Sequence, residues 1–387
     1  MSLISNTKEL ESFCRRIESS PYITVDLEFM REKTFFSKLC LIQVANKNEA
    51  VCIDALASNI DLSSLFDIMK NPNIVKVFHS ARQDIEIFFY LMKEIPSPIF
   101  DTQIAAMVCG FSDSISYQKL VFAVTGKNID KGMRFSDWSK RPLSENQLKY
   151  ALADVTYLRN IYEQIKEEVE KNNRTSWLDE EMAIITNPKT YLINPEKAWL
   201  KIKTSSTSPK QLAVLKELAK WREVKAIEID KPRRHILKDE QLLEISAAQP
   251  TSLSELKSLR GIPNGIADGK FGSDIVDAVK KGLSYNEKDM PQPEPFHKKD
   301  KSLEQITELL MMLLSIKCGM HNVATKMIAV KNDIELIAEN DSADVPALKG
   351  WRRELFGKDA LLLKKGKILI GYDASKKKAF IETFDKK

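Results

Sequence analysis

Two acidic residues one position apart end an apolar stretch near the N-terminus. The stretch runs from Tyr22 to Phe29 and contains Asp26 and Glu28. In a β-strand, residues i and i+2 point to the same face, so these side chains would present their carboxylates side by side. Like charges that close repel unless a cation lies between them. Alone the pair is a weak indication of a metal site, because acidic pairs at strand ends are usually solvated.

Three further residues strengthen the metal hypothesis. Asp84 lies where an apolar, strand-like segment meets a helical one, and Tyr150 and Asp154 share a strongly helical segment. A spacing of four residues places the phenol and the carboxylate on one helix face, with Cβ atoms roughly 5–6 Å apart. Carboxylate oxygens are the ligands that Mg²⁺ and Mn²⁺ prefer. Two such ions about 3.5–4 Å apart stabilise the attacking and leaving oxygens of a phosphodiester displacement.

The predicted catalytic set is therefore Asp26, Glu28, Asp84, Tyr150 and Asp154, with the four carboxylates as metal ligands. Tyr150 would orient the attacking water and help to deprotonate it. Since an ordinary phenol has a pKa of about 10, it is a poor base at neutral pH, and hydrogen bonding is the more plausible role.

The order of these residues resembles the DEDDy branch of the DnaQ-like 3′-5′ exonucleases, and the surrounding sequence resembles bacterial ribonuclease D. The matching segments are 26–31, 39–43, 79–84, 101–106, 136–138 and 141–143. They cover most of residues 20–165 in the order of the family. The resemblance implies an α/β, ribonuclease-H-like domain over residues 1–204, in which a mixed sheet is flanked by helices.

The resemblance also implies an activity. It is a 3′-5′ exoribonuclease that uses two Mg²⁺ or Mn²⁺ ions, acts on RNA with a single-stranded 3′ end, transfer-RNA precursors included, and releases nucleoside 5′-monophosphates. A DNA exonuclease of the proofreading type would use the same carboxylates, but no polymerase domain follows. A catalytically silent nucleic-acid-binding scaffold is disfavoured because all five expected side chains are present. No obligate protein partner is evident.

Several residues near this set are candidates for substrate contact. By resemblance, Leu27, Phe29 and Met30 would separate or stack the terminal bases, although Phe29 suits core packing equally well. The remaining candidates are His79, Gln83, Lys131, Trp138 and Arg141. His79 suits a structural hydrogen bond as well as a substrate contact, and Trp138 could instead anchor its loop against the core. Asp101 is expected to cap a helix rather than to serve as a fifth ligand.

The pattern changes after residue 204, where a polar segment without apolar periodicity indicates a domain boundary. Residues 205–284 resemble an HRDC domain, a small helical module whose expected work is holding nucleic acid. Residues 285–302 are proline-rich and read as a linker, and 303–387 as a second, divergent HRDC-like domain. The fold class expected is thus an α/β exonuclease domain followed by two small all-α domains.

Composition limits the environment of the protein. The five cysteines of this 387-residue chain are odd in number and scattered, which argues against zinc and against a disulfide framework. With neither a membrane-length apolar stretch nor a secretory signal, the expected location is the cytoplasm. The net charge of +5 arises in residues 358–387, which hold nine lysines and four acids, 9 − 4 = +5. These lysines could contact an RNA backbone, although a solvated surface is the default interpretation.

Overall fold

A computed structural model describes residues 3–130, 132–206, 208–269, 271–293 and 301–384. The N-terminal part contains the predicted mixed sheet and its flanking helices. The strands are β1 (Leu3–Ile4), β2 (Tyr22–Met30), β3 (Lys38–Ala45), β4 (Ala50–Asp54), β5 (Val75–Phe78) and β6 (Ile99–Asp101). The helices are α1 (Thr7–Ile17), α2 (Ser63–Lys70), α3 (Arg82–Met92), α4 (Thr102–Val108), α5 (Tyr117–Thr125), α6 (Glu145–Lys171) and α7 (Thr175–Ile185).

The strand that carries the acidic pair lies in the middle of the sheet, whose order is β1-β4-β3-β2-β5-β6. Its neighbour β5 is parallel to it, as β6 is to β5 and β4 to β1, whereas β3 and β4 are antiparallel. The pairing of β2 with β5 ends at Thr24 and Val77. Asp26 and Glu28 therefore extend beyond the segment that pairs with β5, at the carboxyl end of these parallel strands, where open sheets bind their ligands.

The long helix α6 is attached to the same strand. It begins with the predicted capping box, in which Ser144 and Gln147 bond to each other's backbone N–H groups. Its buried residues recur with helical spacing, so one face packs continuously against the core. The Thr24 hydroxyl donates to the Val155 carbonyl at 2.8 Å, which fixes the backbone of α6 to β2.

The described residues divide into two units that differ from the predicted domain boundaries. The first comprises the described parts of 1–28, 40–190 and 297–387, and the second those of 29–39 and 191–296. Residues 191–204, expected in the exonuclease domain, thus belong to the second unit. Each unit is discontinuous in sequence, which composition alone does not indicate.

The second unit is helical, as predicted for an HRDC domain. It contains a 3-10 helix (Pro195–Lys201), α8 (Pro209–Glu228), α9 (Arg233–Ile236), α10 (Asp239–Ala248), α11 (Leu253–Lys257), α12 (Asn264–Ala267) and α13 (Gly272–Leu283). Leu218 of α8, Ile245 of α10 and Ile275 of α13 are fully buried in one hydrophobic cluster. Within the described ranges, no helix is both long enough and apolar enough to cross a membrane.

The segment between β2 and β3 is anchored within the second unit. Asp230, which follows α8 with a φ of 48°, accepts hydrogen bonds from the backbone N–H groups of Phe35 and Phe36 at 2.9 and 3.0 Å. The Arg233 guanidinium lies 4.5 Å from the centre of the Phe35 ring and also pairs with the buried Glu223. Polar and aromatic contacts thus hold this loop in one conformation.

The C-terminal segment is helical but not all-α. It contains 3-10 turns (Lys301–Leu303 and Pro346–Leu348), α14 (Glu304–His321), α15 (Thr325–Ile328), α16 (Lys331–Glu339), α17 (Gly350–Arg352), a π-helix (Arg353–Gly357), α18 (Lys358–Lys364), β7 (Ile368–Asp373) and β8 (Lys378–Thr383). The antiparallel β7–β8 hairpin corrects the all-α expectation for 303–387, because two runs of apolar and aromatic residues flank a polar turn. Of the predicted linker 285–302, residues 294–300 lie outside the described ranges.

The C-terminal segment shares its hydrophobic core with the exonuclease domain. Val108 of α4 belongs to the same buried cluster as Leu313 and Phe356. The rings of Trp177 on α7 and Trp351 stack with centres 4.4 Å apart and an interplanar angle of 9°. This shared core explains why the C-terminal residues cluster with the first unit rather than forming a separate module.

Candidate active site

Three of the four predicted metal ligands lie together. Asp26 and Glu28 come from the end of β2, and Asp154 comes from the third turn of α6. Among the described residues, each offers a carboxylate oxygen, and these oxygens lie within 4.8 Å of one another. The strand alternation and the Thr24 bond to α6 described above account for this convergence.

The fourth carboxylate, Asp84, lies in the first turn of α3 and is 7% exposed. It is not part of the three-carboxylate group, but its charge interacts with those of Asp26 and Glu28. The turn before α3 is held by Asp101, whose carboxylate accepts from the N–H groups of Ser80 at 3.0 Å and Ala81 at 2.8 Å. Asp101 also caps α4, as predicted.

The electrostatics of this cluster favour a bound cation. The pKa of each of the four carboxyls is raised above its ordinary value, in every case mainly by burial. The charges of neighbouring carboxylates raise the pKa of Glu28, Asp84 and Asp154 further, and the Arg134 charge opposes this at Glu28. Hard oxygen donors, close together and poorly neutralised by the protein, fit divalent Mg²⁺ or Mn²⁺.

Tyr150 bonds to one of these carboxylates. Burial, and then the charges of Asp154, Glu28 and Asp26, raise its pKa above the ordinary phenol value, and its hydroxyl is hydrogen-bonded to Asp154. The phenol therefore stays protonated at neutral pH, which favours a hydrogen-bonding role over that of a base. Its ring centre lies 6.1 Å from that of Trp138.

One residue that positions the site escaped the sequence analysis. The Tyr117 hydroxyl donates to the backbone carbonyls of Asp154 at 2.6 Å and Ala153 at 3.2 Å. Together with Thr24, it fixes the turn of α6 that carries the Asp154 carboxylate. The sequence places Tyr117 at a helix start but gives no sign of which distant backbone group its hydroxyl reaches.

The residues predicted to contact the terminal bases differ in exposure. Leu27 is 5% exposed and packs in the core, whereas Phe29 and Met30 are half-buried and belong to the second unit. Gln83 is exposed in the first turn of α3. Lys131 lies outside the described residues.

His79 and Trp138 are held by contacts within the protein. The His79 ring nitrogens lie 3.0 Å from the Thr102 hydroxyl and 3.2 Å from the Ile115 carbonyl. Burial lowers the pKa of His79, which favours the neutral ring. Trp138 is 2% exposed, as expected if it anchors its loop against the core. Both positions support the structural alternatives considered for these residues.

Arg141 is also engaged within the protein. It donates two hydrogen bonds to Asp54, at 2.8 Å from Nε and 2.6 Å from Nη2. The same guanidinium donates to the carbonyls of Trp138 at 2.8 Å and Cys40 at 2.9 Å. These bonds connect the loop before α6 to β3 and β4. Arg141 thus has a structural role, whereas the sequence predicted a substrate contact for it.

The same loop presents a different pair to solvent. The Arg134 guanidinium lies 5.4 Å from the centre of the Phe135 ring, and Phe135 is 91% exposed. Because Arg134 also interacts with the Glu28 charge, this exposed cation and ring belong to the surroundings of the carboxylates.

Comparison with known proteins first defines a class. Residues 1–170 match the family described as 3′-5′ exonuclease, and residues 211–279 match the HRDC domain. A mixed sheet with clustered carboxylates at the carboxyl end of β2, followed by an HRDC region, is the architecture of a metal-dependent 3′-5′ exonuclease.

Longer matches define the family. The chain is 46% identical over 373 residues to ribonuclease D of Nitrobacter hamburgensis, covering 96% of this chain and 97% of that protein. It is 45% identical to ribonuclease D of Bartonella henselae, covering 95% and 91% of the two chains. The crystal structure of Escherichia coli RNase D, titled an exoribonuclease involved in structured RNA processing, matches with a TM-score of 0.81, 28% identity and coverage of 94% and 98%.

The chain belongs to the ribonuclease D family. It is therefore a hydrolytic 3′-5′ exoribonuclease, and the DNA-proofreading and scaffold alternatives are disfavoured.

Proposed function

We propose that this protein trims single-stranded 3′ ends of structured RNAs, transfer-RNA precursors among them, and releases nucleoside 5′-monophosphates. The observation that carries the proposal is the group of Asp26, Glu28 and Asp154 oxygens within 4.8 Å of one another. The ribonuclease D relatives and the structured-RNA role stated for the Escherichia coli protein support the substrate class.

We assign the metal ligands to Asp26, Glu28 and Asp154, with Asp84 completing the set. Two Mg²⁺ or Mn²⁺ ions at these carboxylates would neutralise the charge that develops on the phosphate during hydrolysis. Tyr150, protonated and bonded to Asp154, would orient the attacking water. Asp101 and Tyr117 hold the backbone beside Asp84 and Asp154, respectively, so they act as positioning residues.

For substrate contacts, we favour Phe29, Met30 and Gln83, whose side chains are at least partly exposed. Arg134 and Phe135 are separate candidates, because a cation and an open ring suit a phosphate and a base. Lys131 stays a sequence-based candidate. The buried Cys14, Cys40, Cys52, Cys109 and Cys318 are all free thiols, which supports the expected cytoplasmic location.

Neutralising one carboxylate tests this proposal. Asp26→Asn should lower the hydrolysis of a 3′-labelled RNA in Mn²⁺ by about a thousandfold, because it removes about 4 kcal/mol of charge stabilisation. In EDTA the same variant should be at least as stable as the parent, since it relieves repulsion among the carboxylates. Asp67→Asn, at an exposed carboxylate, is the matched control.

Tyr150→Phe should retain RNA binding and lose about a hundredfold in single-turnover rate. A transfer-RNA transcript with a 3′ extension serves as substrate, and chromatography identifies the mononucleotide product. Full activity of the Asp26 variant would remove the metal assignment, and failure of the parent to shorten any RNA would overturn the proposed function.

A further inference from the structure

One buried side chain of β3 carries polar atoms without a partner. Gln43 is fully buried, and among the described residues neither its Oε1 nor its Nε2 forms a hydrogen bond. Burying an amide in this way is unfavourable, because each unpaired atom loses its hydration without compensation. Buried polar groups of folded proteins are almost always paired, so the location of this amide decides which group can serve as its partner.

The side chain of Gln43 points to the face of the sheet that α6 covers. Gln43 pairs with Cys52 of β4, and residues directly opposite each other on antiparallel strands point to the same face. Asp54 lies two residues beyond Cys52 and therefore shares that face. Its carboxylate bonds to Arg141, which lies in the loop before α6.

The acidic pair of β2 lies on the same face. Thr24 bonds to α6, and Asp26 and Glu28 follow it at two and four residues along the strand. In the sheet, β3 lies between β2 and β4. Burial, and then the charge of Glu28, raise the pKa of the Cys52 thiol, so the Glu28 carboxylate lies near the residue opposite Gln43.

Contacts at both ends of α6 show that the helix follows β3 in the same direction. Arg141, before the helix, donates to the Cys40 carbonyl at 2.9 Å. Arg159, farther along the helix, donates to the Asn46 carbonyl at 2.7 Å. Positions along β3 can therefore be matched to positions along α6.

This match places Gln43 beneath the turn of α6 that carries Asp154. The carbonyl oxygens of Ala45 and Val155 lie 3.3 and 2.8 Å from the Thr24 hydroxyl, so these two residues are level with each other. Gln43 comes two residues before Ala45, about 7 Å along the strand, which corresponds to roughly four residues of helix. The amide is thus buried under the turn that ends at Asp154, beside the acidic pair.

We propose that Gln43 is a positioning residue, whose Nε2 donates a hydrogen bond to the Glu28 carboxylate when the divalent ions are bound. The inference rests on the proposed function, because it takes Glu28 as a metal ligand. Long side chains on adjacent strands reach each other even from diagonal positions. A hydrogen bond to a ligating carboxylate fixes the orientation in which that carboxylate holds the metal. Tyr150 makes such a bond to Asp154, and Gln43 makes the corresponding bond on the sheet.

Direct binding of Mn²⁺ tests this role without RNA. The full-length protein is titrated with Mn²⁺, and the electron paramagnetic resonance signal of the free ion gives the affinity. Gln43→Leu should weaken Mn²⁺ binding by about tenfold or more, as is typical when a residue that bonds to a metal ligand is removed. Asp26→Asn, which removes a ligand charge, should weaken it at least as much.

The melting temperature in EDTA separates positioning from packing. Gln43→Leu replaces an unpaired amide by an apolar side chain of similar size, so it should melt at the temperature of the parent or above it. The matched control is Val44→Ala, because Val44 is the next residue of β3 and is fully buried on the opposite face. Val44→Ala should melt at a lower temperature but bind Mn²⁺ with the affinity of the parent.

A second variant, Gln43→Met, keeps the length of the side chain without its amide. It should lose Mn²⁺ affinity as Gln43→Leu does, and it decides the question if the leucine variant does not fold. In RNA hydrolysis, both variants should require more Mn²⁺ for half-maximal rate, and saturating Mn²⁺ should restore most of the rate.

Unchanged Mn²⁺ affinity in the Gln43 variants would overturn the proposal. If their melting temperature in EDTA also fell, Gln43 would be a packing residue of the core with an internal water as its partner. If the parent cleaves RNA and the Gln43 variants bind Mn²⁺ as the parent does, only this inference fails. If the parent binds Mn²⁺ but cleaves no RNA, the proposed function fails instead.

Discussion

At the scale of single residues, two arginines of the loop before α6 have different surroundings. Arg141 uses its guanidinium on Asp54 and on backbone carbonyls, with 26% of its side chain exposed, and Asp54 is 9% exposed. Burial is the largest single influence and would raise the pKa of Asp54, but the hydrogen bonds and charge of Arg141, together with hydrogen bonds from the Leu56 and Ala57 N–H groups, outweigh it, and the pKa lies below its ordinary value. Arg134 is exposed and interacts with the Glu28 charge.

We expect Arg141→Ala to lower the free energy of unfolding by about 2–4 kcal/mol at pH 7, because it leaves the buried Asp54 carboxylate without its partner. The folded-state pKa of Asp54 is depressed, so its contribution is present above the unfolded value of about 4 and is lost as the pH falls through the folded pKa. The stability gap between parent and variant should therefore narrow below about pH 4. Urea unfolding of both proteins at pH 7, 5 and 3 measures this difference in the free energy of unfolding.

The exposed pair of Arg16 and Glu49 provides the control. Arg16 is 52% exposed, so Arg16→Ala should cost less than about 1 kcal/mol. A loss of RNA affinity in Arg141→Ala without a loss of stability would contradict the structural role and restore the predicted substrate contact.

The sequence was sufficient to predict that Asp26, Glu28 and Asp154 lie together, but not which groups Arg141 contacts. The acidic spacing on β2 and the i, i+4 spacing on α6 are local patterns, and local patterns determine which side chains share a face. Arg141 bonds to Asp54, 87 residues away, a tertiary contact that no local pattern specifies. For the same reason Trp138, predicted from its loop as a surface or an anchor, required the structure to show its burial.

At the scale of elements, α6 is held to the sheet and to α5 at the turn that carries Asp154. Thr24 reaches the Val155 carbonyl and Tyr117 the Asp154 carbonyl. The helix, its capping box and its buried face were predictable from periodicity, whereas these two cross-links were not. The hairpin β7–β8 was missed because the resemblance to a helical module outweighed the alternating residues of 368–383.

Tyr117→Phe should lower the rate of RNA hydrolysis about tenfold and raise the Mn²⁺ concentration needed for half-maximal activity. The physical reason is that the turn presenting the Asp154 carboxylate loses a hydrogen bond, while the stability changes by only about 1 kcal/mol. Rate measurements across a Mn²⁺ series test this shift, which a merely structural role would not produce.

Tyr22→Phe is the matched control, because the Tyr22 hydroxyl also bonds to α6. It donates to the Glu163 carboxylate at 2.8 Å. Glu163 lies nine residues beyond Asp154, about 13 Å along the helix, so its loss should leave the Mn²⁺ requirement unchanged. Identical Mn²⁺ curves for parent and Tyr117→Phe would exclude Tyr117 as a positioning residue.

At the scale of the whole molecule, the C-terminal segment completes the core of the first unit. Arg174, at the start of α7, donates to the carbonyls of Val108 at 2.6 Å and Asn322 at 2.9 Å, and bonds to His321 as well. Arg352 and Glu181 form an ion pair at 2.6 Å, and both side chains are only about one-tenth exposed. Composition could not predict that the C-terminal segment and the exonuclease domain share a core. The residues of a linker do not depend on which hydrophobic core the segment after it joins.

A chain that ends at residue 293 should therefore be much less stable than the full-length protein, rather than being an independent exonuclease. Trp351→Ala should cost about 3–5 kcal/mol, because it removes a buried ring and its stack on Trp177. Thermal unfolding measures both. The control is Leu369→Ala, at an exposed site of the same segment, which should change the stability by less than about 0.5 kcal/mol. Equal melting temperatures for the truncated and full-length chains would refute the shared core.

The loop between β2 and β3 has a consequence for the order of events during synthesis. The N–H groups of Phe35 and Phe36 bond to Asp230, which the ribosome adds 195 residues after Phe35. At about 5–20 residues per second, the nascent loop waits roughly 10–40 s for its acceptor. Throughout that interval the stretch that follows Glu28 lacks these two hydrogen bonds, so this part of the second unit is translated early and anchored late.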